Sequence, residues 1–74
     1  MTTKTLFTAT APDGTLISRN SVRDYTHAVL VCDGTRWDIR NWCGNLALAQ
    51  AQVQQAQQAQ LRGCYDQVAL VPVN

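Results

Sequence analysis

Glutamate is missing from this chain: all five of its carboxylate side chains are aspartates. That is unusual for a protein with a helix, and nothing in the sequence explains it. Charge of either sign is sparse. Six Lys or Arg against five Asp leave a net charge of +1 and a charged fraction of 15%, which argues strongly for neither a nucleic-acid partner nor an acidic one. Histidine occurs once, as His27, without ligand spacing to Cys32, Cys43 or Cys64. A structural zinc needs a fourth ligand beside the three cysteines, and His27 is not spaced to supply it, so no metal is expected. The three cysteines are odd in number and form no CxxC, and no secretory signal accompanies them, which reads as reduced thiols in a cytoplasmic protein. No apolar run approaches the roughly 20 residues of a membrane span.

Catalytic signatures are lacking too. Ser21, Asp24 and His27 are the residue types of a nucleophilic triad. Triads are assembled by folding, however, and Ser21 sits on neither a nucleophile elbow nor a helix start, so turn and capping roles are the plainer reading. Cys43, beside Trp42 and ahead of a helix, is the one thiol whose pKa a helix dipole could lower, although no basic residue adjoins it and packing is the plainer role. No catalytic residue, cofactor or metal ligand is assigned. The protein reads as a non-enzyme.

What the chain does have is a helix. Asn45 to Arg62, NLALAQAQVQQAQQAQLR, is almost entirely Ala, Leu and Gln, which lose little rotamer freedom on a helical backbone. Asn45 is a suitable N-cap, Gly63 a suitable left-handed terminator, and Arg62 sits at the negative end of the dipole. Leu46, Ala49, Val53 and Ala56 recur at helical spacing as a narrow apolar stripe opposite Gln50, Gln54, Gln57 and Gln58. Small alanines imply close approach to whatever lies beneath.

Around the helix lie strands. Lys4 to Thr10 and Thr15 to Arg19 flank Ala11-Pro12-Asp13-Gly14, a tight reversal that makes them a hairpin with Phe7 and Ala9 on one face. Thr26 to Cys32 has a continuous apolar centre and reads as a central strand; Asp33-Gly34 turns it into Arg36 to Trp42, where Trp37 and Ile39 oppose Arg36, Asp38 and Arg40. Gln67 to Val73 is a last strand, at an edge or ending where Pro72 lacks an amide donor. The expected fold is α+β: one domain over residues 1–74, in the order β-β-β-β-α-β, with an antiparallel sheet of four to five strands and the helix on one face. The other face is then left for water or another protein. A domain this small has a thin stability margin, and a homodimer is one way to widen it.

On that open face Arg19, Arg23, Arg36 and Arg40 gather if the second, third and fourth strands are neighbours. Trp37 and Trp42, five residues apart on one strand, point to opposite faces, one beneath the helix and one exposed. Exposed Trp with Arg is the composition of binding hot spots, so Arg23, Arg36, Arg40 and Trp42 are the candidate binding residues, weighed against ordinary solvated strand surface. The interleaved Asp24, Asp33 and Asp38 weaken a nucleic-acid backbone as ligand.

The segments TATAPDGT (Thr8 to Thr15), SRNSVRDYTHAVLV (Ser18 to Val31) and RWDIRNWCG (Arg36 to Gly44) resemble a group of very short phage and prophage proteins, most without assigned function. The resemblance covers roughly the first half of the chain and consists of turns and strands. Proteins similar in size and architecture include anti-CRISPR and other anti-defence proteins. The resemblance therefore implies a phage-encoded inhibitor in the host cytoplasm whose partner is a host protein complex, a CRISPR or other defence effector. A small nucleic-acid-binding module and a self-associating virion structural or assembly protein are the alternatives. Fold-level likeness is analogy and does not transfer function.

Overall fold

The computed structural model describes residues 3–73. Five strands and one helix follow in the expected order: β1 (Thr5–Thr10), β2 (Leu16–Ser21), β3 (His27–Cys32), β4 (Trp37–Cys43), α1 (Leu46–Leu61) and β5 (Gln67–Pro72). β1 and β2 form an antiparallel hairpin whose register runs from Thr5 opposite Ser21 to Thr10 opposite Leu16. Its turn is closed by the Gly14 amide donating to the Ala11 carbonyl at 2.9 Å, with Gly14 at φ +92°. The central strand is β3, antiparallel to β4 on one side and to β5 on the other. Helix α1 carries the chain from one edge of this sheet to the other.

The five strands do not form the single sheet expected. They divide into a two-stranded and a three-stranded sheet, joined through one antiparallel bridge, Ala9 to Val73. The reason lies in β3, where Ala28, Val29 and Leu30 are all fully buried. A strand that is apolar on both sides needs cover on both. On one side, Val29 and Val31 pack with Cys43, Ala49 and Ala56, beneath the helix. On the other, Ala28, Leu30 and Cys32 pack with Trp37 and with Ala9 and Ala11 of the hairpin, and Ile17 joins them. Burying Leu30 alone is worth roughly 1.5–3 kcal/mol. The sheet face expected to meet water or a partner is thus occupied by the hairpin.

Helix α1 begins and ends as its sequence indicates. Asn45 Oδ1 accepts the Leu48 amide at 2.8 Å. At the other end the Cys64 amide donates to the Ala59 carbonyl at 3.0 Å and the Gly63 amide to that of Gln60 at 2.9 Å, with Gly63 at φ +85°, the paired bonds of a Schellman termination. Ala49 and Ala56 are fully buried and Val53 half-buried, but Leu46, expected on the same stripe, is largely exposed.

One irregularity in β4 changes which side chains share a face. Val29 pairs with Asn41 and Leu30 with Ile39, so Arg40 is an extra residue in the ladder. Such a β-bulge shifts the inside-outside alternation by one. Trp37 and Trp42, expected on opposite faces, therefore lie on the same face, away from the helix.

Candidate anion-binding site

The short segment Val22 to Thr26 carries the chain from the end of β2 into β3, and a cleft opens where β1 begins and β2 ends. Ser21, the last residue of β2, is buried. Its Oγ accepts the Arg23 amide at 3.0 Å and lies 3.4 Å from the Tyr25 hydroxyl, to which it donates. One serine thereby sets the backbone at Arg23 and the direction of the Tyr25 ring.

Tyr25 is half-buried in an aromatic cluster. The Phe7 ring meets it nearly edge-on, centroids 5.2 Å apart at 72°, and the Trp42 ring lies 5.7 Å away at 35°. The Arg19 guanidinium carbon stands 5.9 Å from the Tyr25 centroid, a cation–π distance. Cross-strand pairing of Phe7 with Arg19 brings these groups together.

The resulting cleft, about 460 Å³ and open to solvent, is lined by the cations Lys4, Arg19 and Arg23 together with Asn20, Ser21, Val22 and Tyr25. Half of the chain's six Lys and Arg thus line one space, with no carboxylate among its described lining residues. None of the three has an ion-pair partner among the described residues. Asp24, between Arg23 and Tyr25 in sequence, is exposed and does not line the cleft. Such a lining offers many hydrogen-bond donors and few acceptors, which suits a ligand that only accepts.

Of the residues singled out from the sequence, Arg23 lies in this cleft. Trp42 is half-buried against Tyr25 rather than exposed. Arg36 lies just before β4, at the end away from Trp42, exposed and 3.5 Å from Asp38. Arg40, on the bulge, donates from Nη1 to Asn41 Oδ1 at 2.7 Å and to Gln52 Oε1 of the helix at 2.8 Å. The four arginines therefore do not gather on a face away from the helix: Arg19 and Arg23 belong to the cleft, and Arg40 reaches toward α1.

Lys4, Asn20 and Tyr25 were not singled out. A signal for Lys4 was there, since counting back along the hairpin from its turn places Lys4 beside the end of β2. Tyr25 carries no such signal, because its role depends on contacts with three separate strands, through Phe7, Arg19 and Trp42.

The remaining candidate chemistry is not assembled. Ser21 is engaged with Arg23 and Tyr25, whereas His27 Nδ1 lies 2.8 Å from Thr26 Oγ1. Cys43 is buried, and burial pushes its thiol pKa up, opposite to the lowering that a helix start could cause. Among the described residues no three or more His, Cys, Asp or Glu side chains cluster as a metal site, and no helix is long and apolar enough to cross a membrane. The chain matches no protein-family model, no curated protein and no solved structure.

Proposed function

We propose that this chain is a small binding protein, not an enzyme, that works by holding an anionic macromolecule against the cleft of Lys4, Arg19 and Arg23. The observation that supports it is the presence of these three cations on one cleft with no carboxylate among its described lining residues, backed by the buried Ser21 and the Tyr25 ring that set Arg23 and Arg19. Surface arginines usually spread over a protein or pair locally, as Arg36 does with Asp38. None of the three cleft cations has an ion-pair partner among the described residues, so an anion entering the cleft pairs with them without displacing a carboxylate. Inhibition of a host defence complex rests on the sequence resemblance alone; the cleft adds to that reading only a surface on which an acidic protein would sit.

Retention on a polyanion column tests the proposal. The double variant Arg19→Gln, Arg23→Gln should elute from heparin at clearly lower salt than the parent. A variant of equal net charge, Arg36→Gln with Arg62→Gln, should elute close to the parent. Equal losses in the two variants would assign retention to net charge and remove the cleft from the argument.

A further inference from the structure

Resting on that reading, we infer that the partner is a single-stranded nucleic acid, gripped by its sugar-phosphate backbone without reading of the bases. The cleft's chemistry selects among anionic partners. A protein partner is normally held by an apolar or aromatic anchor in a desolvated pocket, with charges at the rim. Here Val22 is the only aliphatic residue among the described lining residues. Tyr25, the only aromatic one, already has Phe7, Trp42 and Arg19 around its ring. What remains is a set of donors: an ammonium, two guanidiniums and the Asn20 amide. That set matches a chain of phosphates, where every repeat carries a charge and several acceptor oxygens.

The same occupancy of Tyr25 bears on the bases. Proteins that hold single strands through bases offer aromatic faces for stacking. This ring is half-buried and already engaged by Trp42 and Arg19, so the bases stay outside and binding is independent of sequence. A duplex presents two backbones across a groove and would need cations spread over a broad face. The other three are dispersed: Arg36 beside Asp38, Arg40 on Gln52, and Arg62 at the helix end. One small cleft fits one backbone.

Three phosphate contacts on a single strand give a slope of log affinity against log salt of about −2. Fluorescence anisotropy of short labelled oligonucleotides with the full chain, between about 50 and 200 mM salt, measures it. Oligo(dT), oligo(dA) and a mixed-sequence RNA should bind within about threefold of one another and more tightly than a duplex or poly-glutamate of equal charge. Arg19→Gln with Arg23→Gln should bring the slope to about −0.7. Because Arg19 rests on Tyr25, Lys4→Gln with Arg23→Gln serves as a second variant that leaves that contact intact and should do the same. Poly-glutamate binding as tightly as the oligonucleotides would overturn the nucleic-acid assignment and leave the anionic-partner reading standing. Tighter duplex binding, or a preference above about tenfold among the single strands, would overturn the backbone-only, single-strand assignment. No binding to any of these polyanions would remove both readings.

Discussion

Asp33 makes more hydrogen bonds than any other carboxylate in the described structure. Its Oδ1 accepts the Thr35 amide at 3.0 Å, the Thr35 hydroxyl at 2.8 Å and the Arg36 amide at 3.2 Å. Those bonds, the Thr35 amide foremost, hold its pKa down to about 2. Asp13 is lowered in the same way by the Thr15 amide at the other turn. A carboxyl whose folded pKa lies below its unfolded value of about 3.9 stabilises the fold above that pH and loses the contribution as pH falls toward the folded value. Stability measured by urea unfolding should therefore fall between about pH 4 and pH 2. Asp33→Asn should be less stable than the parent at neutral pH, with the gap closing at about pH 2. A constant gap would mean that the side chain acts through shape and not through charge. Gly34, next in the turn, is at φ +103°, and a Cβ there would stand 2.5 Å from Asp66 Oδ2. The β3–β4 connection is thus specified twice, by an acceptor and by a glycine.

At the scale of elements, the helix rests on its smallest residues. Ala49 and Ala56, two turns apart and fully buried, let the α1 backbone approach Val29 and Val31 closely. Ala49→Glu would place a larger, unpaired charge in that contact and should cost at least about 3 kcal/mol. A domain of this length has on the order of 4–11 kcal/mol to lose. Gln50→Glu, one residue on and exposed, should change stability by less than about 0.5 kcal/mol. Urea melts followed by circular dichroism compare the two, and equal stability would place the buried stripe elsewhere. This helix was legible because its information is local: Asn45, Gly63 and the Ala spacing each act within a turn. The central position of β3 was legible for a related reason, an apolar run with no polar alternation. The bulge at Arg40 was not. No Gly or Pro marks it, and one extra residue reverses the parity of all that follows, so Trp42 moved to the face of Trp37. Splitting of the sheet was equally hidden, because a hairpin whose inward side chains include the small Ala9 and Ala11 could either cover β3 or extend its sheet, and contacts between distant segments decided it.

Those contacts are few, and they govern the behaviour of the whole molecule, which is elongated at 44 × 24 × 15 Å. The hairpin meets the three-stranded sheet through the Ala9 to Val73 bridge, the small side chains Ala9 and Ala11 with Ile17, and the Phe7–Tyr25–Trp42 aromatic cluster. A two-stranded hairpin is at best marginal alone in water, so it is held in place by this docking. Its outer face adds little, since Leu6 and Leu16 stand exposed there around the Thr8 and Ser18 hydroxyls, 3.2 Å apart. Local opening of the hairpin should therefore take less free energy than global unfolding, whereas β3, buried on both faces, should open only with the whole. The cleft couples this difference to binding. Lys4 and Arg19 belong to the hairpin side of it, and Arg23 and Tyr25 to the segment leading into the sheet. A ligand that needs both sides binds the docked state and not the undocked one, so it lowers the population of the opened hairpin by a factor set by its concentration over its dissociation constant. At one hundred times that constant, about 2.7 kcal/mol is added to the opening free energy of every hairpin amide. Native-state hydrogen exchange should show β1 and β2 exchanging faster than β3 in the free protein, with the gap narrowing when a saturating oligonucleotide is present. If β1 and β2 exchange as slowly as β3 without ligand, the hairpin is part of one cooperative unit and the cleft is rigid. If the gap persists with oligonucleotide bound, the ligand does not bridge the two sides, and the cleft is not where it sits.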